Sequence, residues 1–575
     1  MSNATENGEG ISISGGDGEP VEAVVSAGSN GTPGVSLRPD GKAWDFSAHS
    51  RIEAVIANTG DHPLPVSLRV DNAGHWKNSP WSSETIRLNP GDTKTLVVFF
   101  GYSYGMKPAF ALDPAAVTQL LFFTTGSKEA RSFSILSVSA TGAPGETPDQ
   151  WNRRSGTVPE GGVLFDLTTQ IQSARQLSSQ QGASITADSP GLQLRFPGNG
   201  GAATFHSVSG GWDLRHSNHV EVAVTNDGSV PIRPGGRVNS GSGSTATVWG
   251  EPIPGGETSI LVIPFASPEP WNASLEHPEG NRFISKSVSS VTFFAGESSG
   301  PVSYRVEKII ATAPPVTLPD WVGQRPPVDG DWKLTLREEF TSPTIDESIW
   351  NIYTANHWDK RSHFSKENVI LSDGTIRLRF DKKEGFHNDD HSEYKTSYAT
   401  GFLDTFGKWT QRYGYFETRL KLPTAPGLWP AFWMMPDRGP AAAPRWKREQ
   451  TTNDGMEFDI MEFLSGWGPY RYNVAYHWDG YGKEHKHIGT SGIYFQHDKY
   501  GFITVGMLWL PGEVVYYCNG KPVGRWNSDR ISSVHSILMF THVSGGWDNT
   551  AIDDSKLPSD LEIDYVRAWQ RDDLR

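Results

Sequence analysis

The stretch Met456-Glu-Phe-Asp-Ile-Met-Glu-Phe463 places three carboxylates, Glu457, Asp459 and Glu462, among apolar and aromatic residues. Such a run predicts a strand buried in a sheet, and carboxylates are rarely buried unless a function requires them. Side chains alternate along a strand, so Glu457 and Asp459 share one face. In a regular strand Glu462 points to the other face. One extra residue between Asp459 and Glu462, a β-bulge, would return it to the shared face.

A cluster of this kind suits glycoside hydrolysis. Retaining glycosidases use two carboxyl groups about 5–5.5 Å apart, one as nucleophile and one as acid/base. Crowded like charges raise the pKa of at least one carboxyl, which keeps it protonated as the acid. The backbones of Glu457 and Glu462 would lie roughly 13 Å apart, so the side chains must lean together across a bent strand. The alternatives are a metal-binding cluster or a solvated acidic face.

The segment resembles the active-site strand of glycoside hydrolase family 16, whose bulged pattern is Glu-x-Asp-x-x-Glu. Four further segments resemble strands of that family in the same order: Tyr413–Lys421, Gly427–Pro436, Leu508–Tyr517 and Ile563–Trp569. The resemblance implies a concanavalin-like β-jelly-roll with a substrate cleft on its concave face. It also implies Glu457 as nucleophile, Asp459 as its partner and Glu462 as acid/base.

Composition indicates an all-β protein of several domains. The chain has 575 residues, with 61 glycines, 39 prolines and 11% aromatic residues, which is typical of short strands joined by many turns. The single cysteine, Cys518, excludes an intrachain disulfide and a multi-cysteine zinc site. The net charge of −14 argues against nucleic acid as a partner. No window has the length of a membrane helix, so we expect no membrane partner either.

An internal duplication precedes the catalytic region. Trp44–Ser50 returns as Trp212–Asn218, and Ile52–Gly60 returns as Val220–Gly228, in both cases 168 residues further along the chain. Runs of alternating polarity between Asn-Gly, Pro-Gly and Asp-Gly turns predict strands of a β-sandwich. The sequence therefore predicts two tandem copies of one β-sandwich domain.

The predicted layout has six parts. They are a flexible N-terminus (1–19), the first sandwich (20–141), a linker (142–159), the second sandwich (160–311), a Pro-rich linker (312–330) and the catalytic jelly-roll (331–575). The two sandwiches resemble the carbohydrate-binding-type modules found ahead of agarases, although they could also be spacers. Four of their tryptophans either stack on sugar rings or fill the cores: Trp76, Trp81, Trp249 and Trp271.

Several residues are candidates for the substrate cleft. His477 follows Glu462 by fifteen residues on the predicted next strand, where we expect it beside the acid/base. Galactan-cleaving branches of the family carry a histidine at a similar place; a structural histidine is the alternative. Aromatic and basic residues that suit sugar or sulfate contacts are Trp358, Arg361, Trp433, Arg445, Trp467 and Trp547.

These features predict a secreted, periplasmic or cell-surface retaining endo-β-glycosidase that acts as a monomer on a polysaccharide. The resemblance favours a marine algal galactan of the carrageenan, furcellaran, agar or porphyran type. Trp478–His485 looks like a laminarinase segment, so an endo-β-1,3-glucanase is the alternative, followed by a transglycosylase and a non-catalytic binding protein. We expect no catalytic cofactor. The resemblance implies a structural Ca²⁺ near Glu339 and Asp564.

Overall fold

The computed structural model describes residues 4–574 except 17–18, 76–79, 147, 149–155, 170, 172–175, 188–190, 199, 208–210, 276–281, 297 and 299. Trp76 lies outside the described residues. As predicted, the protein is all-β, and the chain forms two compact units, Met1–Ser155 and Gly156–Arg575. Within the described part of the chain, no helix has both the length and the apolar character needed to cross a membrane.

The first unit is built from two mainly antiparallel sheets that enclose one apolar core. Its strands are β1 (Ala4–Asn7), β2 (Ile11–Gly15), β3 (Val21–Val25), β4 (Gly34–Leu37), β5 (Arg51–Asn58), β6 (Leu64–Asn72), β7 (Trp81–Leu88), β8 (Thr93–Phe99), β9 (Tyr102–Ser103), β10 (Lys107–Pro108), β11 (Val117–Phe123) and β12 (Arg131–Thr141). The sheet orders are β1-β4-β11-β6-β7-β9-β10 and β2-β3-β12-β5-β8.

The N-terminus differs from the prediction of a flexible segment over residues 1–19. Strand β1 pairs with β4 in one sheet, and β2 pairs with β3 in the other. Ile11 is buried in the core and Ile13 packs against it. The Gly, Ser and Asn content of this stretch obscured a short alternation of apolar residues, and edge pairing in the sheets orders the backbone.

The second unit begins with another sandwich that encloses its own core. Its strands are β13 (Val163–Phe165), β14 (Leu177–Gln180), β15 (Ser184–Thr186), β16 (Leu192–Phe196), β17 (Ala202–His206), β18 (His219–Thr225), β19 (Pro234–Ser240), β20 (Val248–Trp249), β21 (Thr258–Pro264), β22 (Trp271–Asn272), β23 (Val288–Ala295) and β24 (Val302–Thr312). One sheet has the order β15-β16-β24-β18-β21, with β13 also on β24, and the other has the order β14-β17-β23-β19-β20.

The two sandwiches share a local hydrogen-bond pattern at the duplicated asparagine. Asn58 donates to the carbonyls of His62 and Leu88, and its side-chain oxygen accepts from the Gly60 N–H at 3.0 Å. In the second sandwich Asn226 donates to the carbonyls of Val230 and Ile253 and accepts from the Gly228 N–H at 2.9 Å. The repeated asparagine therefore makes the same hydrogen bonds in both copies, and these connect the end of a strand to the next turn.

The C-terminal part of the second unit consists of two large sheets packed face to face around a further core. Its strands are β25 (Trp332–Glu338), β26 (Ser362–Phe364), β27 (Val369–Ser372), β28 (Thr375–Asp381), β29 (Gly385–Phe386), β30 (Lys395–Thr396), β31 (Tyr398–Thr400), β32 (Phe402–Asp404), β33 (Gly414–Lys421), β34 (Leu428–Pro436), β35 (Glu457–Glu462), β36 (Arg471–Trp478), β37 (Lys486–Tyr494), β38 (Ile503–Leu510), β39 (Glu513–Cys518), β40 (Lys521–Asn527), β41 (Ser536–Ser544) and β42 (Ser559–Arg571).

The six-stranded sheet, β32-β41-β34-β35-β36-β37, contains the acidic strand near its middle. The other sheet runs β22-β40-β39-β38-β33-β42-β28-β31-β26, with β25 on β42 and β27 on β28, and β29 and β30 form a separate pair. Helices are short: α1 (Arg445–Arg448) and 3₁₀ turns at Pro114–Ala116, Glu160–Gly162, Ser285–Ser287, Lys366–Asn368, His387–Asp389, Pro440–Ala442, Ser465–Trp467, Asp554–Lys556 and Asp572–Leu574.

The second sandwich and the jelly-roll exchange aromatic side chains. Strand β22 of the sandwich pairs in parallel with β40 of the jelly-roll, and Trp271 enters the jelly-roll core. There its ring stacks on Tyr476, with ring centroids 6.2 Å apart. In return, Tyr494 of the jelly-roll enters the sandwich core, where its hydroxyl donates to the Phe283 carbonyl and accepts from the Ser285 N–H. Each domain therefore completes the other's core.

The segment predicted as a Pro-rich linker, residues 312–330, lies against the larger sheet of the jelly-roll. Trp321 and Val328 pack on a small cluster that includes Tyr415 and Trp569. The Arg567 guanidinium donates to the Gly323 carbonyl. These contacts hold the segment to the domain that follows it.

We predict that Trp271→Ala destabilises the second unit as a whole. The ring is 7% exposed and belongs to the jelly-roll core, so truncation leaves a cavity that costs on the order of 3 kcal/mol. The urea midpoint of unfolding, followed by far-UV circular dichroism, measures the effect. Trp249→Ala is the control, because Trp249 is 44% exposed on the same sandwich. Equal midpoints for the two variants would contradict the exchange of core residues.

Candidate active site

A β-bulge brings the three acids together on one face. Glu457, Asp459 and Glu462 of β35 lie opposite His477, Ala475 and Asn473 of β36, and the register shifts between Asp459 and Glu462. The three partners are two residues apart, so their side chains share one face of the sheet, and the acids opposite them share it too. The consecutive residues Ile460 and Met461 both pack into the core and absorb the extra position. The predicted bulge is therefore present.

Glu462 lies in a nearly dry environment. It is 7% exposed and its carboxylate accepts a hydrogen bond from the Asn473 amide at 2.5 Å. The Trp429 indole N–H lies close enough to lower the pKa of Glu462, although its geometry falls short of a full hydrogen bond. Burial outweighs both contacts and raises the pKa of Glu462 to about 7. At neutral pH a large fraction of this carboxyl is protonated.

Glu457 and Asp459 form a carboxyl pair beside Glu462. Their carboxyl groups are close enough to share a proton. Burial raises the pKa of both groups, and the neighbouring charges raise it further. The hydrogen bond from Asp459 acts in the opposite direction on Glu457 and lowers its pKa. Asp459 is 3% exposed, while Glu457 is half-buried and reaches the edge of the site. A protonated Asp459 would therefore stabilise an ionised Glu457.

His477 is near the acids but not beside Glu462, where the sequence places it. It is the register partner of Glu457, and its Nε2 lies 3.3 Å from the Asp459 Oδ2. Asn473 occupies the position next to Glu462 instead, because the bulge shifts the pairing of β35 with β36. Burial and the neighbouring His485 and His487 lower the pKa of His477 to about 4, so its imidazole is neutral at neutral pH.

One possible metal site overlaps the acids. Ligand atoms of Glu457, Asp459 and His477 lie within 4.8 Å of one another, which is a donor set of two oxygens and one nitrogen. Among the described residues, no other group of three His, Cys, Asp or Glu side chains comes this close together.

Three tryptophans continue the acidic face into an aromatic rim. The Trp547 ring is 46% exposed and makes edge contacts with Trp467 and Trp429, with centroids 5.9 and 5.8 Å away. The Trp467 Nε1 donates to Asp548 at 3.0 Å, which fixes the loop that carries Trp547. The exposed Trp547 ring, which could stack on a sugar, thus contacts Trp429, the residue beside Glu462.

Trp433, on the strand next to β35, forms a second aromatic group with Trp358. Trp433 lies opposite Asp459 in the register of β34 with β35, and its ring meets Trp358 edge-on at 5.5 Å. Trp433 is 6% exposed, and its indole N–H is buried without a partner. This unpaired donor is a reason to keep Trp433 among the substrate-binding candidates.

The two predicted basic residues differ in their surroundings. Arg361 is exposed near Gly545, in the loop that carries Trp547. Arg445 is paired with Asp404 at 2.6 Å and with Glu449 at 2.8 Å. Because two carboxylates already neutralise its guanidinium, Arg445 holds the strand-connecting segment in place and does not fit a sulfate-binding role.

The carboxylates expected at a calcium site are also engaged. Glu339 accepts two hydrogen bonds from Arg567, at 2.8 and 2.7 Å, and a third from Arg337. Asp564 is paired with Arg419. Calcium is bound by about six to eight oxygen ligands, and arginine already occupies oxygens of both of these carboxylates. Glu339 and Asp564 therefore do not fit a calcium site built on these two side chains.

Sequence reasoning missed two neighbours of Glu462, Asn473 and Trp429. Asn473 lies four residues before His477, so strand alternation puts both on one face, and this signal was present in the sequence. Trp429 carried no comparable signal, because its approach to Glu462 depends on the pairing of β34 with β35 after the bulge.

We predict that the ionisation of Glu462 lowers the free energy of unfolding as pH rises. Its folded pKa of about 7 exceeds the unfolded value near 4.5, so the folded state holds the proton longer, and stability falls between these pH values. Glu462→Gln should remove a decline of about 2 kcal/mol between pH 5 and 8. Urea midpoints at several pH values measure it, and exposed Glu347→Gln is the control. Parallel pH curves for wild type and Glu462→Gln would refute the prediction.

Comparison with known proteins identifies relatives of the C-terminal region. Residues 356–567 match the sequence model of the glycosyl hydrolases family 16. A beta-glucanase from Rhodothermus marinus is 26% identical over 265 residues, which cover 42% of this chain and 85% of that protein. Glucan endo-1,3-beta-glucosidase A1 from Niallia circulans is 22% identical over 438 residues, covering 68% of this chain and 59% of the relative.

A keratan-sulfate endo-1,4-beta-galactosidase from Sphingobacterium multivorum is 28% identical over 259 residues, covering 42% of this chain and 56% of the relative. The chain thus spans little more than half the length of these last two relatives. Among solved structures, the laminarinase catalytic domain from Thermotoga maritima MSB8 is 23% identical, with a TM-score of 0.36, and covers 42% of this chain and 99% of that one. The C-terminal part of this chain is a domain of the glycosyl hydrolases family 16.

Proposed function

We propose that the domain is a retaining endo-β-glycosidase that cleaves a polysaccharide by double displacement. The observation that carries the proposal is the bulge in β35, which gathers Glu457, Asp459 and Glu462 onto one face. Two carboxyls that flank the scissile glycosidic bond, with a third that tunes the first, are the groups that this reaction needs.

The environments of the acids suggest their roles. In its ionised form, to which a protonated Asp459 donates a hydrogen bond, Glu457 attacks the anomeric carbon and forms a glycosyl ester. Burial and the charge of Glu462 raise the pKa of Glu457 to about 8, so the ionised form is the minor one at neutral pH. Glu462, protonated in a large fraction of molecules at neutral pH, gives its proton to the departing glycosidic oxygen. Glu462 then takes a proton from water, and the resulting hydroxide attacks the anomeric carbon as its bond to Glu457 breaks. Glu457 returns to a carboxylate, and the sugar is released with retained configuration. The neutral His477 lies beside the pair of Glu457 and Asp459, with its Nε2 3.3 Å from the Asp459 Oδ2.

Two substrate classes have support. The names of the relatives from Rhodothermus marinus and Niallia circulans point to a β-glucan, and those proteins include an endo-1,3-acting enzyme. The name of the Sphingobacterium multivorum relative, a keratan-sulfate endo-1,4-beta-galactosidase, points to a sulfated polysaccharide that contains galactose. His477 lies near the acids, but beside Asp459 and not beside Glu462 where the galactan reading expects it, and the charge-balanced Arg445 removes one candidate for sulfate. Reducing-end release from laminarin, mixed-linkage glucan, keratan sulfate, agar, porphyran, furcellaran and the carrageenans separates the two classes.

We predict that Glu457→Ser and Glu462→Gln each lower kcat by about a thousandfold or more, since each removes a group that acts at the anomeric carbon. Binding of the cleaved polysaccharide should persist in affinity electrophoresis. Glu347→Gln, on an exposed loop residue, is the matched control and should retain full turnover. Undiminished turnover by either active-site variant would refute the assignment.

The stereochemical course gives an independent check. Proton NMR of the first product released from the active polysaccharide should show the β-anomer before mutarotation, because two inversions at one carbon restore the configuration. Initial appearance of the α-anomer would mean a single displacement by water and would remove Glu457 from the role of nucleophile. Added acceptor sugar that diverts product into longer chains would identify a transglycosylase.

A further inference from the structure

The turn that follows the acidic strand holds the aromatic rim of the cleft. Residues Ser465–Trp467 form a 3₁₀ turn three positions after Glu462. The Gly466 N–H donates to the Asn549 side chain at 2.9 Å, and the Trp467 indole donates to Asp548 at 3.0 Å. These two bonds connect the turn to the loop that carries Trp547. We call Trp467 and Trp547 the tryptophan platform.

The second sandwich contacts this turn through one arginine. The Arg215 Nη1 donates to the Gly466 carbonyl at 2.9 Å. A β-carbon at Gly468 would lie 2.7 Å from the Arg215 backbone oxygen, so the two chains approach closely here and Gly468 has to be a glycine, which its φ of +92° also favours. The contact thus fixes both the main chain and the side chain of Arg215 against the turn.

Arg215 is itself pre-positioned within the sandwich. Asp213, whose side chain is 3% exposed, accepts from Arg215 Nε at 3.0 and 3.1 Å and from Nη2 at 2.7 Å. It also accepts from the Arg215 backbone N–H at 3.1 Å. A guanidinium held in this forked geometry loses little further freedom when it donates to Gly466. Because a charged donor makes the stronger kind of hydrogen bond, this contact can restrain the turn.

We propose that Arg215 is a positioning residue for the tryptophan platform, so that the second sandwich forms part of the substrate-binding site of the jelly-roll. The inference rests on the proposed function of Glu457 and Glu462. The exposed face of Trp547 is where a sugar ring of the polysaccharide would stack. Arg215 does not touch that sugar; it acts through Gly466, Trp467 and Asp548.

This role predicts an effect on binding that is separate from chemistry. Arg215→Ala frees the Gly466 carbonyl and loosens the platform, which lies beside the acids and not among them. We expect KM for the active polysaccharide to rise about tenfold while kcat stays within about twofold. Arg215→Lys, which keeps a donor but loses the fork to Asp213, should give an intermediate KM.

The matched control is Arg305→Ala. Arg305 is also a forked arginine of the second sandwich, and its ion-pair partners Asp227 and Glu307 belong to that sandwich. Its removal should leave KM unchanged. A double-mutant cycle adds a sharper test: in a Trp547→Ala background, Arg215→Ala should raise KM by less than about twofold, because the platform it positions is gone. Additive effects of the two changes would overturn the proposal.

Hydrogen exchange separates this inference from the proposed function. In the full chain, Arg215→Ala should speed exchange of the Gly466 and Trp467 amides at least severalfold, and Arg305→Ala should not. If no polysaccharide is cleaved yet these amides exchange faster, the proposed function fails and the positioning contact stands. If wild type cleaves a polysaccharide and Arg215→Ala alters neither exchange nor KM, the positioning role is wrong.

Discussion

One extra residue in strand β35 determines the chemistry of this domain. Ile460 and Met461 are adjacent in sequence, yet both pack into the apolar core between the sheets. Their shared direction reverses the alternation of the strand, and Glu462 therefore returns to the face of Glu457 and Asp459. Core packing thus enforces the grouping of charges, because flipping Glu462 inward would bury a carboxylate among apolar side chains.

The same constraint explains why the acids have raised pKa values. Three carboxyls lie close together on one strand, and two of them, those of Asp459 and Glu462, have almost no contact with solvent. Both conditions disfavour the ionised form of each carboxyl. The surrounding sheet supplies only a few donors, namely Asn473 to Glu462 and the shared proton between Asp459 and Glu457. The carboxyls of the site therefore stay protonated at pH values at which exposed carboxyls are ionised. Burying them lowers the free energy of unfolding, and the apolar cores of the second sandwich and the jelly-roll offset this loss.

The sequence allowed the fold class, the duplication and the bulge to be predicted, because each leaves a local pattern of spacing. The two consecutive apolar residues before Glu462 and the 168-residue offset are examples. Pairing between distant segments left no such pattern. Arg445 and Glu339 look like free surface charges in sequence, and only the fold brings Asp404 and Arg567 to them. The position of His477 depended on one step of register, which the bulge itself changed.

The mutual insertion of Trp271 and Tyr494 has a consequence for how such chains can be recombined. A gene fragment that encoded only residues 331–575 would lack the ring that stacks on Tyr476 and would expose the Tyr494 side chain. A gene rearrangement that preserves both cores therefore has to transfer residues 156–575 together, because the second sandwich and the jelly-roll form one compact unit.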